Sequence, residues 1–275
     1  MPNQDDEQIL QSWREFLAER LGGIEMSWDE LSEHLGDLMT DAMRERIKAD
    51  PSLLERTRVS PLRMRTMTDD EMCSSQGPIF EFFGYALSIP DHVVIMRELL
   101  PVIKPEASLL DVGWKPCFFS AFLQSQGLLK TRTVGVTPSE ESIRRLLEIV
   151  GEDRVFMELK HGSPLDLPFA DGEFGQVISV DLLHWLHGWR KAISEIARVA
   201  AEGASIFISL VSYSVRNGEI DVFTVAQTLA KHGVDVRRFD TFSAEKSQSP
   251  RLFVTGVKGK PKRESRILIP GETDY

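Results

Sequence analysis

Apolar positions change their spacing near residue 107. Before that point they recur every three or four residues, the period of one helix face. Residues 5–21 place Ile9, Leu10, Trp13, Phe16, Leu17 and Leu21 on one stripe. Ser27 and Glu30 form a capping-box pair ahead of a second stripe, Leu31, Leu35, Leu38, Met39 and Met43, because side chains three residues apart can satisfy free amides at a helix start reciprocally. Pro51 and Pro61 interrupt the chain beyond that second stripe. The methionine-rich, polar stretch 64–73 reads as a loop, lid or linker, and its methionines as filler rather than metal ligands. Residues 80–87 and 92–103 read as further helical pieces.

From residue 107 onward, short apolar runs alternate with helical patterns. Strands are predicted over 108–112, 131–136, 154–159, 174–180, 204–211, 234–239 and 251–257, and helices over 118–126, 138–150, 189–200 and 220–232. Gly127, Gly151 and Gly233 stop three of these helices, and Thr137 or Ser139 caps the one over 138–150. Strands alternating with helices of this length pair in parallel and carry helices on both faces. A run such as SIFISLV at 205–211 is nearly all apolar, as a strand buried on both faces must be. The expected fold class is α/β, a seven-stranded, mostly parallel sheet with helices on both faces, plus an N-terminal helical region. The chain then divides into a helical region at 1–106, an α/β domain at 107–258 and a basic tail at 259–275.

Composition narrows the function classes. The 275 residues are 42% hydrophobic, enough for a sizeable core. No stretch reaches the roughly 18 apolar residues of a membrane span. The start, MPNQDDEQIL, lacks the basic and apolar parts of a secretory leader, so a cytoplasmic protein with no membrane association is expected. A formal net charge of −10 repels nucleic acid. The one basic concentration, Lys258, Lys260, Lys262, Arg263 and Arg266, reads as a solvated end. Cys73 and Cys117 form neither a disulfide framework nor a metal-binding spacing, so no metal is expected. Cys117 reads as a quiet thiol, and Asp171-Gly172 as a turn.

Several local phrases agree with one family. SLLDVG at 108–113 is similar to its first strand and glycine loop, and LDLPFADGEFGQVIS at 165–179 to the stretch leading through its fourth strand. AISEIARVAAEGASIFIS at 192–209 is similar to its next helix, turn and fifth strand, and the last two predicted strands match its terminal antiparallel hairpin. In order along 107–258, these phrases resemble the class I S-adenosylmethionine-dependent methyltransferases, a Rossmann-like fold.

The resemblance implies a cofactor site at the carboxyl ends of the strands. Its pocket positions fall on Asp111, Gly113, Trp114, Lys115, Thr137, Ser163 and Asp181. Several are substituted. The family's Gly-x-Gly-x-Gly loop, whose glycines let backbone approach the ligand closely, reads Gly113-Trp114-Lys115-Pro116-Cys117. Side chains replace the second and third glycines, and Pro116 fixes the backbone between them. Thr137 stands where the family holds the ribose with an acid, Ser163 where an aspartate holds adenine, and Gly175 where the fourth strand opens with an acid. Asp111, Glu140, Asp166 and Asp181 are the acids available to take over.

His184 and His187, with Trp185 and Trp189, fall where the family flanks its substrate pocket. Imidazole titrates near neutral pH, so either histidine is a candidate general base; the alternative is packing of the two tryptophans. Lys115 is a candidate anion contact or a solvated loop lysine. Three readings stay open. One is a pseudo-methyltransferase acting as scaffold or partner subunit, with no cofactor, meeting a protein partner or a second copy through the N-terminal helices. Another is an active S-adenosylmethionine-dependent enzyme on a small molecule. The third is the same fold rebuilt for another ligand or reaction.

Overall fold

The computed structural model describes residues 95–113, 118–125, 127–138, 157–214, 217–242 and 250–259, together with isolated positions, among them Thr66, Thr68, Asp69, Glu140 and Arg144. Of the helix expected at 5–21, Gln8, Gln11 and Ser12 are described and helical. The rest of it, the helices expected at 31–43 and 80–87, both cysteines and the tail beyond 259 lie outside the described residues.

The strands of the main sheet are β1 (Leu109–Val112), β2 (Thr133–Thr137), β3 (Glu158–His161), β4 (Phe174–Val180), β5 (Ala200–Val211), β6 (Val234–Phe242) and β7 (Arg251–Lys258); Tyr213–Ser214 and Gly218–Glu219 pair as a separate small ribbon. The main sheet is seven-stranded, in the order β3-β2-β1-β4-β5-β7-β6. β1 to β5 pair in parallel, and β7 runs antiparallel between β5 and β6. The helices are α1 (Phe118–Ser125), α2 (Trp189–Val199) and α3 (Val222–Lys231). Residues 140, 143, 144 and 147 are helical, within the stretch expected at 138–150.

Alternation along the strands sorts side chains onto the two faces. Val134, Val177, Ile206 and Val254 meet Ile193 and Ile196 of α2 and Val225 and Leu229 of α3. Leu109, Ile178, Phe207 and Phe253 meet Phe119 and Leu123 of α1. Ile95, Met96 and Leu99, from the helical residues 95–99, complete this second layer. Residues 95–106 are therefore tied into the α/β body. Gln176 at the start of β4 also holds the backbone of Lys104 and Ala107 through bonds of 2.9–3.0 Å.

Two boundaries differ from those expected. β3 is Glu158–His161 rather than 154–159. It is an edge strand, so only its β2 side needs pairing, and Arg132 beside β2 ties its start to the sheet by reaching Glu158 at 3.1 Å and Glu173 at 2.7 Å. β5 begins at Ala200 rather than 204, because Phe174 pairs with Ala200 before a register shift. Gly203, at φ 81°, carries the chain through that irregularity.

Candidate functional site

Parallel pairing brings the carboxyl ends of β2, β1 and β4 side by side, the edge at which open α/β sheets bind ligands. Gly113 follows β1 and is buried, its N–H donating to Val136 O at 3.1 Å. Trp114 and Lys115, with Pro116 and Cys117, lie outside the described residues.

Asp111 shares its sheet face with Leu109, which turns it toward α1. It is 4% exposed. Ser120 Oγ of α1 donates to Asp111 Oδ2 at 2.6 Å. Burial penalises the charged carboxylate and raises its pKa to about 7, with the Ser120 bond opposing the rise.

Thr137 ends β2 at 1% exposure, with its carbonyl accepting from Gly162 N at 3.0 Å. Ser163 closes a tight turn: its hydroxyl accepts from Leu165 N at 3.2 Å and its carbonyl from Asp166 N at 3.1 Å. Asp166 and Glu140 are exposed, and Glu140 lies 3.6 Å from His161 Nδ1.

Asp181 follows β4 in the left-handed region, at φ 55°. Its two oxygens accept from Arg251 Nη1 at 2.5 Å and Nη2 at 3.2 Å, and both residues are buried. Sequence reasoning missed Arg251. The available signal was a single charge opening an otherwise apolar strand, RLFVTGV, since a buried arginine requires an anionic partner.

Gly175 requires a correction. Grouped from sequence with the cofactor contacts, it stands at the opposite end of β4 from Asp181. Its N–H donates to Ser108 Oγ at 3.1 Å, and a Cβ added there would lie 2.9 Å from Ala107 Cβ. Glycine at this position answers a packing constraint.

The two histidines separate. His184 sits in the short turn Leu183–Trp185, 4% exposed, its ring 4.9 Å from that of Trp185. It belongs to the packing and not to the open rim expected for it. His187 is exposed. The loop carrying them is held from two sides. Asn217 Nδ2 donates to His184 O at 3.0 Å and to Leu186 O at 2.9 Å. Asp69 accepts from His187 N at 2.8 Å and from Gly188 N at 2.9 Å. Neither residue carried a sequence signal, because each acts on backbone far away along the chain.

Among the described residues, no three His, Cys, Asp or Glu side chains gather as metal ligands. No described helix is long and apolar enough to cross a membrane.

Residues 110–208 match the family described as a methyltransferase domain. The α/β domain has the class I methyltransferase fold. It is 30% identical over 110 residues to ajmaline N-methyltransferase of Rauvolfia serpentina, a match covering 39% of this chain and 37% of that one. With norajmaline N-methyltransferase of the same plant it shares 29% over 119 residues, covering 42% and 39%. The matched segments thus span less than half of these relatives. Among solved structures, the N-methyltransferase NodS of Bradyrhizobium japonicum aligns with a TM-score of 0.52 at 14% identity, over 62% of this chain and 98% of that one. The [4+2]-cyclase SpnF aligns at 0.51 and 15%, over 62% and 82%.

The methyltransferase fold implies S-adenosylmethionine, and the described residues do not fit its usual contacts. The end of β2 offers a buried threonine instead of a carboxylate. The hydroxyl of Ser163 is engaged within its own turn, and the carboxylates of Asp111 and Asp181 are bonded to Ser120 and Arg251.

Proposed function

We propose that this protein is a pseudo-methyltransferase, a scaffold or partner subunit whose cofactor site has been given over to internal contacts. The observation carrying this reading is that Asp181, at the carboxyl end of β4, is committed to a buried two-point pair with Arg251. Replacement of the ribose and adenine acids by Thr137 and Ser163 supports it. Each charge-assisted bond lost removes about 1.5–3 kcal/mol. Two losses together weaken binding by about two to four orders of magnitude, before the side chains of the altered glycine loop are considered. The protein acts in the cytoplasm, without nucleic acid, and docks a protein partner or a second copy through the helices predicted in 1–106.

The N-methyltransferase matches favour a second reading: an active S-adenosylmethionine-dependent enzyme on a small molecule, with His187 as the exposed base candidate. A third, the same fold rebuilt for another reaction with Lys115 holding an anion, draws support from the fold likeness to a cyclase.

Thermal unfolding with millimolar S-adenosylhomocysteine separates the first reading from the second. A micromolar binder at 1,000-fold excess over its Kd adds about 4 kcal/mol of stability, a shift of several degrees. The pseudoenzyme reading requires an unchanged midpoint, and a shift of that size overturns it.

A further inference from the structure

Between β5 and α3 the chain carries the dipeptide Asn217-Gly218, at the small ribbon in which Tyr213–Ser214 pairs with Gly218–Glu219. Ile220 N donates to Ser212 O at 2.6 Å and closes the base of that ribbon. The side chain of Asn217 reaches instead to the loop between β4 and α2. Its Nδ2 donates to His184 O at 3.0 Å and to Leu186 O at 2.9 Å. An amide nitrogen suits this clamp because it carries two hydrogens, one for each carbonyl. A carboxylate in the same place accepts only, and would set its oxygens against two carbonyl oxygens. Asparagine is among the thermally labile side chains. Asn217 is half-buried, within reach of water, and the residue after it is glycine, whose backbone nitrogen no Cβ screens from attack on a neighbouring amide.

We infer that Asn217 is a deamidation site, and that its conversion to aspartate unclamps the turn Leu183–Trp185 at the ligand-binding edge of the sheet. Gly218 N attacks Asn217 Cγ. A C–N bond forms as the Cγ–Nδ2 bond breaks, and the proton from Gly218 N leaves with Nδ2 as ammonia. Water then opens the cyclic imide, its hydroxyl going to one of the ring carbonyl carbons and its proton to the ring nitrogen. The products are aspartate at 217 and its β-linked isomer. Neither has a donor for the carbonyls of His184 and Leu186. While the clamp is closed, Nδ2 is held against two acceptors, and ring closure requires those bonds to break. The folded turn therefore slows its own modification, and each local opening exposes the amide to attack. Conversion then makes the opening permanent. No step involves the cofactor.

Two readouts on the full chain test it. Peptide mass spectrometry after ageing in mildly alkaline buffer measures the conversion. Hydrogen exchange measures its effect on the turn, at the amides of Trp185 and Leu186, which donate to Leu182 O and Leu183 O. The aged wild type is expected to accumulate acid at 217. Gly218→Ala, whose methyl hinders ring closure, is expected to keep the amide over the same period. Asn217→Asp is expected to exchange the two turn amides about tenfold or more faster than fresh wild type, the effect of losing two neutral hydrogen bonds. No acid at 217 in the aged wild type, or as much of it in Gly218→Ala, overturns the modification site. Unchanged exchange in a folded Asn217→Asp chain overturns the clamp. If Asn217→Asp fails to fold, the converted fraction of the aged wild type, separated by its added negative charge, carries the exchange measurement with the same two outcomes.

Discussion

Arg251, the first residue of β7, reaches across β5 to hold both carboxylate oxygens of Asp181 at the end of β4. Two charges withdrawn from water are tolerable only when each satisfies the other. The pair also explains how Asp181 keeps a left-handed backbone, which costs an ordinary residue energy and persists only when its surroundings fix it.

Removing one partner leaves the other buried and uncompensated. Arg251→Ala is expected to cost about 3–5 kcal/mol in urea unfolding, and Asp181→Asn, which keeps the shape and tolerates the backbone but leaves the Arg251 charge buried without its carboxylate, costs a similar amount. A loss below about 1 kcal/mol for Arg251→Ala would show that the pair does not hold this edge together.

Asp111 supplies a pH signature. Its pKa in the folded chain is about 7, above the ordinary 3.8, so the folded state binds this proton more tightly than the unfolded one. The contribution of Asp111 is therefore most favourable below about 4, and is lost as pH rises to about 7. The slope approaches roughly 1 kcal/mol per pH unit. Unfolding free energies of the wild type and Asp111→Asn, measured from pH 4 to 8, should converge at the acid end and separate toward neutrality, with the variant the more stable at pH 8. A parallel pair of curves would place Asp111 in a wetter setting.

Gly175 tests packing against lost function. Gly175→Ala is expected to cost about 1–3 kcal/mol, because its methyl meets Ala107 Cβ at 2.9 Å in a half-buried contact. Ala107→Gly in the same chain should recover much of that. If Gly175→Ala is neutral, the close approach is not a constraint, and the missing acid at this position regains interest as a site change.

Much of the fold was legible in the residues. The largely apolar runs at Phe174–Val180 and at 204–211 within β5 read as central strands. Gly127 and Gly233 take the positive φ that ends a helix, at 67° and 78°, and Gly172 turns at 68° after Asp171. β3 was harder to place because an edge strand has a weaker burial pattern, so the polar Lys160 and His161 fall beyond the strand expected at 154–159. At the site, sequence located the positions but not their states. Alignment with a family phrase puts Asp111 and Asp181 at the ligand edge. It does not say that Ser120 and Arg251 have already claimed their oxygens, since those partners meet through tertiary packing. Position also made His184 and His187 equivalent, until the turn at Leu183–Trp185 buried one and left the other exposed.

The pseudoenzyme reading rests on a cofactor edge where the described carboxylates of Asp111 and Asp181 already have partners inside the protein. Isothermal titration calorimetry of the full chain with S-adenosylmethionine and S-adenosylhomocysteine measures this most directly. No heat of binding is predicted for either at ligand concentrations up to about a millimolar; saturable binding of either in the micromolar range would contradict the reading and return the chain to the active enzymes of its fold.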